Sequence, residues 1–261
     1  MKSLLHTFGF RKSNPALSRQ KRGRLNLDGI EKRYSLYAVG DVHGCLRELH
    51  AIEAQIREDV RVRQRFGIII YLGDYVDRGP QSAAVLDHLC QAPPNEFRRL
   101  PLCGNHDDMF LRFFRNPARH LNWLEMGGEE TLKSYSIDIG RYLGRRKDMA
   151  GLRAIMKERI PEQHLAFLDK LYISLKVGKF LFVHAGIKPG LPIQQQTDHD
   201  LMWIREPFLS EGSGSPLTVV HGHTMTMEPV FGNKRIGIDT GAYMTGRLSA
   251  VRIFNDVCEV L

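Results

Sequence analysis

A chain of 261 residues, 43% hydrophobic and 25% charged, has the composition of a globular domain and is long enough to bury a substantial core. Its four cysteines (Cys45, Cys90, Cys103, Cys258) form no CxxC pair, which argues against a disulfide framework or a zinc knuckle and fits a reducing cytoplasm. The formal net charge of +8 would suggest nucleic-acid binding, but the excess is local. Residues 1–33 hold nine Lys or Arg against two Asp or Glu, whereas residues 34–261 hold twenty-eight against twenty-seven, so no general basic groove is indicated.

The segment 1–33, opening "MKSLLHTFGFRKSNPALSRQKRGRL", reads as a basic, flexible extension. Two rival readings are a surface anchor through Leu4, Leu5, Phe8 and Phe10, and a nucleic-acid contact. The long apolar stretch of a secretory signal is absent, and no run approaches the roughly eighteen apolar residues of a membrane span. From residue 34 the pattern changes to a domain that runs to 261. "RYSLYAV" predicts a strand ending at Gly40, and "LRELHAIEAQIREDVRVRQ" a helix with Leu46, Leu49, Ile52 and Ile56 on one face. "GIIIYL" predicts a buried strand, "SAAVLDHLCQAP" a helix stopped by Pro93 and Pro94, and "FRRLPLC" a third strand. This alternation predicts an α/β layered core.

Residues 108–170 break the rhythm. "DMFLRFFRNPARHLNWL" and "YLGRRKDMAGLRAIMKERIPEQHLAFLDKL" are helical in period, with a break at Pro161, and predict an inserted helical lobe packed around Phe110, Phe113, Phe114 and Trp123. "FLFVHAG", "PLTVVHGHT", "KRIGIDTGA" and "GRLSAVRIFN" then restore strands.

Most of these strands share one design, an apolar run, a glycine, then a metal-ligating side chain, while in "FLFVHAG" the strand ends in the histidine itself. They deliver Asp41 and His43, Asp74, Asn105 and His106, His184, and His223 to the ends where loops converge. Carboxylates and neutral imidazoles suit Mn²⁺, Fe²⁺ or Zn²⁺. One ion leaves ligands unused, whereas two ions about 3.5 Å apart sharing Asp74 would use them all. A water between two such ions loses its proton at neutral pH and becomes a nucleophile. Arg78 offers a planar fork for phosphoryl oxygens, Asp77 can orient a histidine, and His106, beside Asn105, is a candidate general acid. The expected chemistry is in-line hydrolysis of a phosphate ester without a phosphoenzyme. His221 is expected to point away from His223 in an extended run.

"GDVHG", "GDYVDRG", "GNHD", "VHAG" and "HGH", in this order across about residues 35–255, resemble the calcineurin-like metallophosphoesterases, and more narrowly the serine/threonine phosphoprotein phosphatases in their compact bacterial form. The resemblance implies two β-sheets flanked by helices with the site at the sheet edge. It implies a first ion held by Asp41, His43 and Asp74, and a second by Asp74, Asn105, His184 and His223. It further implies His106 as general acid paired with Asp77, with Arg78 and Arg205 (in "DLMWIREPF") holding the phosphate. Asp107 stands where eukaryotic members have Glu, and no histidine lies two places after His223.

The expected activity is therefore a metal-dependent phosphatase, most directly for phosphoserine or phosphothreonine in a protein or peptide, with small phosphate esters also admitted. "VHAGI" and "IDTGA" are shared with symmetrical diadenosine tetraphosphate hydrolases, which makes a dinucleoside polyphosphate the rival substrate, helped by the basic cluster Arg141, Arg145, Arg146 and Lys147. A non-catalytic phosphopeptide or nucleic-acid module is disfavoured by the intact ligand set. The pattern carries no signal for oligomeric state.

Overall fold

The computed structural model describes residues 22–144 and 147–261. In chain order the elements are β1 (Arg24–Asn26), β2 (Ser35–Val39), α1 (Leu46–Arg63), β3 (Gly67–Tyr71), α2 (Ser82–Cys90), β4 (Phe97–Pro101) and α3 (Asn105–Arg115). There follow α4 (Gly128–Ser134), α5 (Gly140–Leu143), α6 (Met149–Arg159), α7 (Glu162–Asp169), β5 (Ser174–Val177), β6 (Phe180–Val183), α8 (Asp198–Trp203) and α9 (Phe208–Glu211). The chain closes with β7 (Thr218–His221), β8 (Val230–Gly232), β9 (Arg235–Gly237), α10 (Ala242–Thr245), β10 (Ala250–Phe254) and β11 (Val257–Val260).

Two mixed sheets result. One has the order β11-β10-β2-β3-β4 and the other β1-β5-β6-β7-β9-β8. β2, β3 and β4 are parallel because α1 and α2 supply the crossovers. Side-chain alternation assigns the two faces. Leu36, Ala38, Ile68 and Ile70 meet Leu175, Phe182, Val220 and Ile236 in the layer between the sheets. Tyr37, Val39, Ile69 and Tyr71 face the other way, against Leu49, Ile52 and Ile56 of α1. Both faces of β2 and β3 are covered, which is why these segments read as continuous apolar runs.

The edge of the second sheet takes in β1, residues that composition alone groups with the extension. Arg24, Leu25 and Asn26 pair in parallel with Ser174, Leu175 and Lys176. Arg22 donates to the Leu168 and Leu171 carbonyls, and Arg24 to those of Ile193 and Gln196. An open sheet edge and carbonyls waiting for donors outweigh the local polarity.

Between β4 and β5 the chain forms α3 to α7. Phe110 and Phe113 pack on Trp123 with ring centroids 5.3 and 4.7 Å away, all three fully buried. Pro161 separates α6 from α7, and Asp148 caps α6 by accepting from Gly151 N.

Candidate metal centre

The functional side chains lie on loops at the carboxyl ends of strands. Asp41 and His43 follow β2, Asp74, Asp77 and Arg78 follow β3, and Asn105 and His106 open α3 after β4. His184 follows β6 and His223 follows β7. The loops turn sharply. His43, Asp74, Asp77, Arg78 and His223 all have φ between 43° and 73°, half of the ten non-glycine residues with positive φ among those described. Such clustering of left-handed conformations marks a site held by its surroundings. The packing leaves no room for a side chain at two glycines: a Cβ at Gly104 would lie 2.0 Å from Asp74 Oδ1, and one at Gly222 would lie 1.9 Å from Asp41 Oδ1.

Asp74 Oδ2 is the common point. It lies 3.5 Å from His43 Nε2 and 3.3 Å from His184 Nε2. Two groups, His43–Asp74–His106 and Asp74–His184–His223, each offer ligand atoms within 4.8 Å of one another and share Asp74. Asn105 Oδ1 joins the second group, 2.8 Å from His184 Nε2 and 2.9 Å from His223 Nδ1. Asp41 reaches across through Oδ2, which accepts from His223 N at 3.0 Å.

The arrangement fits divalent ions. Asp41 Oδ1, His43 Nε2 and His223 Nε2 are buried and have no hydrogen-bond partner among the described residues. The tautomers agree. His43 Nδ1 donates to the Val76 carbonyl at 2.8 Å and His184 Nδ1 to the Leu72 carbonyl at 2.9 Å, so in each ring Nε2 is the nitrogen turned toward the centre, its lone pair open in neutral His43 and opened in His184 once the Nε2 proton leaves. Asp74 Oδ1 is engaged by His106 N at 3.0 Å, which aims Oδ2 inward.

Electrostatics point the same way. Burial lowers His43 to a pKa of about 3 despite Asp74, and burial with His184 lowers His223 to about 3, so both rings are neutral, the form in which an imidazole can bind a metal. Burial alone would lower His184 too, but Asp74 and Asp41 raise it to about 10. Asp74 resists burial because His184, His106 and His43 pull its pKa well below the usual range. Burial and Asp239 push Asp41 well up. These crowded carboxylates and imidazoles are the environment that a dication relieves.

His106 belongs geometrically to the first group, yet both ring nitrogens are engaged elsewhere. Nδ1 donates to Asp77 Oδ2 at 2.7 Å, and Nε2 is 3.1 Å from an Arg78 guanidinium nitrogen. Burial works against its protonation, but Asp74 and Asp77 hold its pKa above the ordinary histidine value. Asp77 is fully enclosed. Oδ2 also accepts from Trp123 Nε1 and Oδ1 from Thr131 Oγ1, each at 2.7 Å. Arg205, after α8, is exposed, and its charge disfavours protonation of His223. Glu206 binds Ser210 Oγ at 2.7 Å, and among the described residues the Arg205 side chain has no hydrogen bond or ion pair.

Several contributors escape sequence reasoning. Asp107 accepts from Asp74 N, Tyr75 N and Gly104 N at 2.8 to 2.9 Å and so ties the β3 loop to the start of α3. Asp239, buried in "IDTGA", accepts from Gly241 N at 2.9 Å and presses charge on Asp41. Tyr243 presents its ring 5.5 Å from His43 and 4.9 Å from the Arg78 guanidinium carbon. Among these, only the Asp in "GNHD" and the "IDTGA" run carry a visible signal; Trp123, Thr131 and Tyr243 become partners through tertiary packing. His221, by contrast, turns from the centre and packs edge-on against Phe208 at 5.0 Å.

Two ligand groups on a shared carboxylate, next to a hydrogen-bonded His–Asp pair and an arginine fork, define a metal-dependent phosphoesterase. The sequence profile of the calcineurin-like phosphoesterases matches residues 34–238, and the chain belongs to that family. A curated relative, the asymmetrical bis(5'-nucleosyl)-tetraphosphatase PrpE of Anoxybacillus flavithermus, is 28% identical over 236 residues, covering 82% of this chain and 88% of that one. Among solved structures, a chain provisionally assigned as a diadenosine tetraphosphatase superposes with a TM-score of 0.59 at 20% identity, covering 92% of this chain and 97% of its own. A protein serine/threonine phosphatase from Saccharomyces cerevisiae gives 0.57 at 15% identity, covering 93% and 84%. The two structural likenesses speak for the fold alone.

Proposed function

We propose that this protein hydrolyses a phosphoric ester or anhydride at a pair of divalent ions, Mn²⁺ first among the candidates, and that a dinucleoside polyphosphate is its preferred substrate. The observation that carries the chemistry is the position of Asp74 Oδ2, between two ligand groups and beside the His106–Asp77 pair. Asp41, His43 and Asp74 would hold one ion, and Asp74, Asn105, His184 and His223 the other. Bound there, the ions supply a nucleophile from water at neutral pH and neutralise phosphoryl charge.

The protein's own part follows from geometry. Arg78 turns its fork from His106 to two oxygens of the reacting phosphoryl group, and Arg205 meets the same group from the exposed side. Freed of Arg78, His106 Nε2 takes a proton from solvent, favoured by Asp74 and Asp77, and passes it to the leaving oxygen. The water oxygen bonds to phosphorus as the bond to that leaving oxygen breaks. Asp77, locked by Trp123 and Thr131, keeps the His106 ring oriented.

The nucleotide preference rests on the tetraphosphatase relatives, which align over most of the chain, and on the aromatic ring of Tyr243 at the mouth of the centre. Phosphoserine or phosphothreonine in a protein is the second reading, favoured by "GDYVDRG" and by the absence of a histidine two places after His223. Of the basic cluster that would assist a polyphosphate, Arg141 is ion-paired with Asp138 at 3.8 Å, and Arg145 and Arg146 lie outside the described residues. A reducing cytoplasm suits the four free cysteines, and no described helix is long and apolar enough to cross a membrane. The test is kcat/KM with Mn²⁺ on diadenosine tetraphosphate, a phosphoserine peptide and a phosphotyrosine peptide. A higher value on the dinucleotide supports the proposal, and its products separate asymmetric cleavage (ATP and AMP) from symmetric cleavage (two ADP). A higher value on the phosphoserine peptide overturns the nucleotide preference.

A further inference from the structure

A concavity lies beside α1, the helix that follows the His43 loop. It is an open hollow of about 280 Å³ between α1 and the turn after α10, with Arg47, Ala51, Ile52, Gln55, Arg247 and Leu248 among its walls. Ile52 and Leu248 form an apolar floor, 3% and 8% exposed, as parts of the main core. The lips are polar. Arg47 donates to Glu48 Oε1, and Arg247 donates to Glu228 and to the Met227 carbonyl.

Both walls of the cavity belong to elements that start at the metal centre. α1 begins at Leu46, three positions past His43, and the stretch from Arg47 to Gln55 rises about 12 Å at the usual 1.5 Å per residue. On the other wall α10 carries Tyr243, close to both His43 and Arg78, and runs directly into Gly246 and Arg247 of the cavity rim.

We propose that this cavity binds a nucleoside of the substrate, with a base lying on Ile52 and Leu248. The inference rests on the nucleotide reading of the site. The volume is close to the lower end of small-molecule sites, roughly 300 Å³, which suits one nucleoside. Glu48 and Gln55 offer the acceptors and donors that a base edge requires. A peptide fits less well. Its walls are a helix and a tight turn, with no strand edge to pair with an extended backbone. Each lip arginine already has an acidic neighbour, so the cavity is weakly charged and discrimination comes from base burial more than from phosphate attraction.

The experiment measures inhibition of 4-nitrophenyl phosphate hydrolysis, at saturating Mn²⁺, by diadenosine tetraphosphate and by inorganic tetraphosphate. The ratio of the two inhibition constants isolates the nucleoside. In the wild type the dinucleotide is expected to inhibit about tenfold more tightly, the effect of covering one face of a base with apolar side chains. Ala51→Glu, at an exposed position of α1, places a charge in the cavity and brings the ratio to near one, whereas Ala51→Ser keeps it. The ratio is taken within each variant, so a general loss of activity does not imitate the result. A wild-type ratio near one, or a ratio that survives Ala51→Glu, overturns the proposal. A ratio that behaves as expected, together with no cleavage of the dinucleotide, leaves the cavity standing and removes the substrate reading instead.

Discussion

Trp123 Nε1 donates to Asp77 Oδ2 at 2.7 Å, and the same oxygen accepts from His106 Nδ1 at 2.7 Å. A residue of the helical lobe thereby sets the orientation of a histidine beside the metal centre. The indole can do this because Phe110 and Phe113 clamp its ring. Trp123→Phe keeps most of the packing and removes the donor. Turnover is expected to fall about tenfold or more, the usual worth of an outer-shell hydrogen bond, with metal content unchanged. Unchanged turnover would show that Asp77 is held well enough by Thr131 alone.

His106 itself is tested through the leaving group. His106→Asn should reduce turnover roughly 10²-fold or more on diadenosine tetraphosphate or a phosphoserine peptide, and far less on an activated aryl phosphate that leaves without a proton. Both metals should remain. Equal losses on both kinds of substrate, or loss of metal, would contradict the acid role.

Metal binding should release protons. Asp74 and Asp41 hold the His184 pKa up at about 10, so without metal Nε2 is protonated at neutral pH. Coordination displaces that proton. Because the proton is bound below that pKa, metal affinity falls as pH falls, by about tenfold per pH unit for each proton displaced. Calorimetric titration in buffers of different ionisation enthalpy counts the protons. No release across roughly pH 6 to 9 would place the ion elsewhere.

Away from the site, Glu53 is 4% exposed and accepts from Tyr71 Oη and from Arg99 at 2.8 and 2.9 Å, with His88 Nε2 2.9 Å away. Burial alone would raise its pKa, but His88, Arg99 and Tyr71 lower it to about 2. Glu53→Leu leaves Arg99 buried without its counter-charge and should cost about 3 to 5 kcal/mol in urea unfolding. The folded pKa is depressed, so the Glu53 contribution is complete above the unfolded value near 4.5 and is lost as pH falls toward about 2. A variant as stable as the wild type at pH 7 would contradict this.

The first three ligand-bearing loops are legible in the chain because each follows an apolar run and a glycine, a pattern that survives without knowledge of packing. "GDVHG", "GDYVDRG" and "GNHD" announce Asp41, His43, Asp74, Asn105 and His106 in this way. The shared position of Asp74 follows from its central strand, with β2 on one side and β4 on the other. Periodicity alone gives a layered α/β core. The division into two sheets depends on non-local pairings such as β6 with β7, more than thirty residues apart in the chain, to which local pattern is blind. The Trp123 and Thr131 bonds to Asp77 are hidden for the same reason: the aromatic pattern of the lobe signals a core and says nothing of a single N–H at its margin. β1 is hidden because its strand character comes from the open edge of β5 and not from its own residues.

The central claim is two ions sharing Asp74, and metal stoichiometry tests it most directly. Protein equilibrated with excess Mn²⁺, freed of unbound metal and analysed by elemental emission, should carry two ions per chain. Asp74→Asn should lose both, His43→Ala mainly one, and His223→Ala mainly the other. A single ion at saturation with full activity, or two ions retained in Asp74→Asn, would contradict the account.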